Sequence, residues 1–152
     1  MTMRIIPILL LVCLMLLSKA ESREKTDTEL RYEKFRRQHT ARTDMAAKKC
    51  DSEIRGKQIY NIDNTCKPTN TFILDNPTNI KLICQGEGDL NAGTGLTRSR
   101  NTFKIIVCEL KSGERKPRCQ YEGSLLTNRY VAVRCENNLP VHFDRDIMNF
   151  GG

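Results

Sequence analysis

The chain has 152 residues, 39% of them hydrophobic and 28% charged, a length that supports one domain with a modest core and excludes a large multi-domain enzyme. Its 25 lysines and arginines exceed its 18 aspartates and glutamates, for a formal net charge of +7. That balance suits an anionic partner, whether nucleic acid, a heparan-type glycan or a bacterial surface, without choosing among them.

Residues 1–20 read as a secretory signal peptide: Arg4, then an apolar run from Ile5 to Leu17, then Ser18-Lys19-Ala20 with small residues where a peptidase cuts. A run of about 13 residues with no stop-transfer pattern is too short for a membrane anchor. Cleavage after Ala20 or Ser22 leaves 21–152 as a single domain, and losing Arg4 and Lys19 lowers the net charge from +7 to +5. The polar stretch Glu21 to Asp27 is expected to be mobile.

A first helix is expected from about Thr28 to Thr40, with Thr26 and Glu29 as a capping box and Tyr32, Phe35 and His39 spaced along one face. A second is expected from Met45 to about Ile54, capped by Asp44 and ended by Gly56, with Ala46, Cys50 and Ile54 on its buried side. Asn76-Pro77 supplies a cap and a first-turn proline for a short third helix burying Ile80, Ile83 and Cys84. The four glycines between Gln85 and Arg100 mark a loop without regular elements. It is no phosphate cradle, since no Gly-Lys-Ser/Thr follows.

Beyond it, Phe103, Ile105 and Val107, and later Val131, Val133 and Cys135, alternate as strands do. The basic stretch Lys111 to Arg118 between them, with Gly113 and Pro117, reads as an exposed hairpin loop. Helices first and strands later make the class α+β.

Apart from Cys13 in the leader, six cysteines remain: Cys50, Cys66, Cys84, Cys108, Cys119 and Cys135. An even number in a secreted chain reads as three disulfides, whose pairing spacing alone does not rank. A zinc site is disfavoured, because there is no CxxC pair and no histidine beside any of them. No cofactor is called for.

The densest chemistry lies in Cys66-Lys67-Pro68-Thr69-Asn70-Thr71-Phe72, where a staple, a cation, hydroxyls and an amide share seven positions. The chain's two histidines sit in Lys34-Phe35-Arg36-Arg37-Gln38-His39 and Pro140-Val141-His142-Phe143-Asp144. RNA carries its own nucleophile, the 2′ hydroxyl. Cleaving it without a metal takes a base, an acid and a cation near the phosphorus. Two imidazoles and a lysine are the parts required.

These three stretches resemble the pancreatic-type ribonuclease superfamily, and the cysteine spacings resemble its angiogenin-like branch with three bridges instead of four. The resemblance implies three helices packed on a bent antiparallel sheet, with Cys50 paired to Cys108, Cys66 to Cys119 and Cys84 to Cys135. It implies a secreted, pyrimidine-preferring endoribonuclease of low activity, with His39 as base, His142 as acid and Lys67 stabilising the transition state. Gln38 and the Phe143 amide would meet the phosphate, and Asp144 would orient the His142 ring. Thr71, supported by Asn70, would read the pyrimidine, Lys34 and Arg37 would meet neighbouring phosphates, and Glu136 would contact the base 3′ of the cut.

Single-stranded RNA is the implied partner, with a ribonuclease-inhibitor protein, anionic glycans and bacterial surfaces as further ones, and the implied state is monomeric. A cell-stimulating ligand of angiogenin type and a cationic antibacterial protein are the alternative functions. Val107 stands where digestive members have an aspartate behind the pyrimidine-reading threonine. A tail beyond Asp144, through Asp146, Ile147 or Phe150, would lower turnover if it covered the pyrimidine pocket as in angiogenin.

Overall fold

The computed structural model describes residues 23–150, so the expected leader with Cys13 lies outside the described residues. Helix α1 (Asp27–His39) begins on the expected box. The Thr26 hydroxyl accepts from the Glu29 amide at 3.1 Å, and the Glu29 carboxylate accepts from the Thr26 amide at 3.3 Å. Arg23 and Lys25, expected in a mobile stretch, are ion-paired to Glu29 and Glu33 on the same helix. Arg36 and Arg37 place positive charge at its carboxyl end, as the helix dipole favours. Phe35, 2% exposed, fastens the helix to the core.

The second helix starts later than the sequence suggests. A 3₁₀ turn (Ala47–Lys49) leads into α2 (Cys50–Gly56), and neither start has a side-chain cap. Asp44 pairs with Arg42 instead of capping. At this start the Ala47 carbonyl and Cys50 Sγ pack close against the bare backbone of Gly123. Helix α3 (Pro77–Lys81) follows the expectation, with the Asn76 side chain accepting from the Asn79 amide at 2.8 Å. It continues into a 3₁₀ turn (Leu82–Cys84).

Among the described residues these helices pack on a seven-stranded sheet: β1 (Thr40–Ala41), β2 (Thr69–Leu74), β3 (Gly88–Asn91), β4 (Leu96–Ser99), β5 (Phe103–Ser112), β6 (Gln120–Glu136) and β7 (Leu139–Met148). The order is β1-β2-β5-β6-β4-β3, with β7 also on β6. The sheet is mixed only through β1, which runs parallel to β2. Strand β6, 17 residues long, changes partners along its length: its first half pairs β5, its second half β7 and β4. That exchange bends the sheet.

Side chains alternate between two core clusters on opposite faces of β2 and β5. Ile73 and Ile105 join Phe35, Ile80, Ile83, Val131 and Val133, while Phe72, Leu74 and Ile106 join Ile54 and Ile59. The disulfides are Cys50–Cys108, Cys66–Cys119 and Cys84–Cys135, the pairing that the resemblance implies.

One expectation fails clearly. The stretch Gln85 to Arg100 is largely the β3–β4 hairpin, registered Gly88 to Ser99 and Asn91 to Leu96. Its turn forms on Asn91, whose carbonyl accepts from Gly95 N at 2.8 Å and whose side chain accepts from Gly93 N at 2.9 Å. Pairing of β4 with Ala132 and Val133 of β6 supports strands too short and polar to announce themselves. Similarly, Lys111 and Ser112 belong to β5 rather than to the turn that follows.

Candidate active site

Strand β2 leaves the Cys66–Cys119 staple and runs beside the end of α1. This brings Lys67 and Thr71 under His39. The His39 Nδ1 bonds the main-chain oxygen of Thr71 at 2.9 Å. A carbonyl only accepts, so Nδ1 carries the proton and Nε2 holds the free lone pair. Among the described residues no buried side-chain polar atom lacks a partner, so the unpaired Nε2 opens to the cleft that His39 lines.

The ring lies between Phe35 and Phe143, with centroids 5.5 and 5.1 Å away. Its pKa falls from the ordinary 6.5 to about 3. Burial, which penalises the imidazolium, is the largest cause; Lys67 and His142 repel added charge, and the Thr71 carbonyl opposes them only in part.

Lys67 is held from behind. Its Nζ donates to Asn70 Oδ1 at 2.9 Å, and Asn70 Nδ2 donates to the Gln38 carbonyl at 2.8 Å. Asn70, 1% exposed, thereby braces the lysine against α1. Desolvation first, then the charges of Lys34 and Arg37, push the Lys67 ammonium below its usual range. An anion bound beside it would stabilise its charged form.

His142 arrives on β7, whose register against β6 slips twice. Ala132 pairs Arg145 but Val133 pairs Phe143, and Arg134 pairs His142 but Cys135 pairs Pro140. Asp144 and Val141 are the extra residues of two bulges that bracket His142 and Phe143, a device that re-aims side chains. His142 Nε2 lies 4.0 Å from Asp144 Oδ1, an ion-pair distance when the ring is protonated and too long for a hydrogen bond. The other Asp144 oxygen accepts from Arg145 Nε at 2.7 Å.

A cleft of about 870 Å³ gathers these groups: Lys34, Gln38, His39, Lys67, Thr71, His142, Phe143 and Asp144 all line it. Three residues singled out from the sequence do not. Asn70 stands behind it as the brace just described. Arg37 donates through Nη1 to the carbonyls of Lys57 and Gln58, at 2.8 and 2.9 Å. Glu136 is paired to Arg31.

The cleft also takes in residues that the motifs did not single out, notably Thr69, Arg134, Val141 and Arg145. Thr69 lay in plain view inside the lysine motif. Arg134 had no such signal, since only the β6–β7 register sets it across from His142. Val107 lines the cleft directly across from Thr71 in the β2–β5 register, with no carboxylate to engage the threonine hydroxyl. Of the tail residues, Asp146 lines the cleft and accepts from Arg129 at 3.1 Å. Ile147 pairs Tyr130 within the strand, and Phe150 is 88% exposed.

Comparison with known proteins finds relatives of this chain and of its fold. The family profile described as pancreatic ribonuclease matches residues 30–144. The chain is 33% identical to Ribonuclease-like 3 of Danio rerio over 144 residues, 93% of each chain. It is 35% identical to Angiogenin-3 of Mus musculus over 121 residues, 78% of this chain and 80% of that one. The X-ray structure of zebrafish RNase5 superposes with a TM-score of 0.74 at 37% identity, covering 81% of this chain and 99% of the other.

Proposed function

The chain belongs to the pancreatic ribonuclease family, and from that premise we propose that it is a secreted endoribonuclease. It cuts single-stranded RNA 3′ of pyrimidines, through a 2′,3′-cyclic phosphate and without a metal. The observation that carries the reading is the meeting of a neutral, buried His39, a half-buried Lys67 and an exposed His142 around one cleft.

In the first step His39 Nε2 takes the proton of the 2′ hydroxyl as that oxygen attacks phosphorus. The bond from phosphorus to the 5′ oxygen breaks, and His142 gives that oxygen a proton. Lys67 meets the charge gathering on the phosphoryl oxygens, helped by Gln38 and the Phe143 amide. Water then opens the cyclic phosphate with the two histidines in exchanged roles. A buried base with a pKa near 3 is a weak proton acceptor in the free protein. The incoming phosphate anion counters Lys67 and strengthens it when substrate is bound.

Thr71 takes the pyrimidine, with Val107 leaving its hydroxyl free to donate or accept. Lys34 meets a neighbouring phosphate, and Arg37 does so after releasing its carbonyls. Asp144 steers His142 once the ring is charged. Residues 1–20 act as a signal peptide, and 21–152 form one domain. Three disulfides suit folding in an oxidising compartment.

The test is cleavage of a fluorogenic RNA containing one pyrimidine, with a chelator present. Changing His39→Ala or His142→Ala should each lower kcat/KM by about 10² to 10⁴. Undiminished cleavage in either folded variant, or cleavage abolished by the chelator, overturns the reading.

A further inference from the structure

Arg134 is the cleft residue for which the reaction above has no use. It lies directly opposite His142 in the β6–β7 register, so the two side chains leave the same face of the sheet at neighbouring positions. It lines the cleft. Among the described residues no carboxylate or carbonyl is hydrogen-bonded or ion-paired to its guanidinium. A free arginine in an open cleft is a donor fork awaiting an acceptor pair.

The position of that fork is prepared. At the tip of the β3–β4 hairpin Gly95 adopts φ +72°, and a Cβ there would stand 2.8 Å from Arg134 Nη1 and 3.8 Å from its Cζ. The guanidinium therefore rests on bare backbone that only glycine leaves open. Two residues further along β6, on the same face, Glu136 could have offered an acceptor, but Arg31 occupies it. Along this stretch of β6 the Arg134 guanidinium is thus left as an unpaired donor.

If His142 protonates the departing 5′ oxygen, the nucleoside carrying that oxygen lies beside His142 and meets Arg134. Resting on that reading of the site, we propose that Arg134 determines specificity on the 3′ side of the cut by reading guanine. Its two nitrogens donate to guanine O6 and N7, adjacent acceptors on one edge. Adenine presents N7 beside an amino donor, which opposes the fork. Uracil lacks an adjacent acceptor pair, and cytosine has one only on its other edge, N3 beside O2. In single-stranded RNA this edge is unpaired and open to side chains.

The experiment compares cleavage of the dinucleoside monophosphates UpG and UpA by the wild type, Arg134→Ala and Arg134→Lys. These substrates contain only the scissile phosphate, so no downstream phosphate contributes. The wild type should favour UpG, and the ratio of the two kcat/KM values should fall on the order of tenfold in both variants, since lysine keeps the charge and loses the fork. Equal losses on the two substrates, or a ratio that lysine preserves, overturn the proposal by reducing Arg134 to a general cation.

Affinities for dUpG and dUpA, which lack the 2′ hydroxyl and cannot be cut, are measured alongside by NMR titration. A preference for dUpG that disappears in Arg134→Lys supports the base contact even if nothing is cleaved, in which case the nuclease reading fails alone. Cleavage without any guanine preference sinks the Arg134 assignment alone.

Discussion

Acid should destabilise this protein through His39 in particular, and the size of the effect follows from its burial. The folded protein binds a proton there at a pKa of about 3, the unfolded chain at the ordinary 6.5. A depressed folded pKa means that the fold favours the neutral ring. The stabilisation is complete above pH 6.5 and is lost as pH falls toward 3, because the unfolded state takes up a proton that the native state refuses. At about 1.4 kcal/mol per pKa unit, going from pH 7 to pH 5 costs about 2 kcal/mol.

Urea unfolding with the disulfides intact, followed by circular dichroism at pH 7, 6 and 5, measures this when wild type and His39→Gln are compared. Glutamine cannot titrate, and all other groups are common to both proteins. The stability difference between the two should shift by about 2 kcal/mol in favour of the variant between pH 7 and pH 5. Parallel pH dependences would refute the argument that burial, rather than the Thr71 hydrogen bond, governs the ring.

Further outcomes follow from other contacts. Asn70→Ala removes the brace between the Gln38 carbonyl and Lys67, so unfolding free energy should drop by about 1–3 kcal/mol. RNA cleavage should drop further than Thr69→Ala lowers it, because Lys67 loses its placement. Gly123→Ala would set a Cβ 2.1 Å from the Ala47 carbonyl and 2.7 Å from Cys50 Sγ, and thermal melts should register a loss of about 1–3 kcal/mol or more. Replacing Cys84 and Cys135 together by alanine opens a loop of 51 residues. Chain entropy puts the cost near 4 kcal/mol, and denaturant titration should find a loss of that order without a change of fold.

Much of the architecture was legible locally. The Thr26–Glu29 box and the Asn76-Pro77 start act through hydrogen bonds within one helical turn, so a few letters suffice to predict them. Strands β5 and β6 are long and half-buried, which prints the alternation of Phe103, Ile105, Val131 and Val133 into the chain. The start of α2 was misplaced because it has no side-chain cap to mark it and packs against Gly123, more than 70 positions away. The β3–β4 hairpin was missed because exposed residues such as Asp89, Leu90 and Asn91 lack a buried face to impose a pattern.

The candidate site divides along the same line. His39, Lys67 and His142 are marked by the short motifs around them, whose residues are neighbours in sequence. Their meeting is a tertiary fact: His39 and His142 are over a hundred positions apart, and two bulges in β7 decide which way His142 and Phe143 point. That Asn70 gives its support by bracing Lys67, that Glu136 is paired to Arg31 and that Arg134 lines the cleft are tertiary facts as well. Periodicity specifies which face of a strand a side chain leaves by, whereas its partner depends on register, and a single extra residue in the neighbouring strand changes that register.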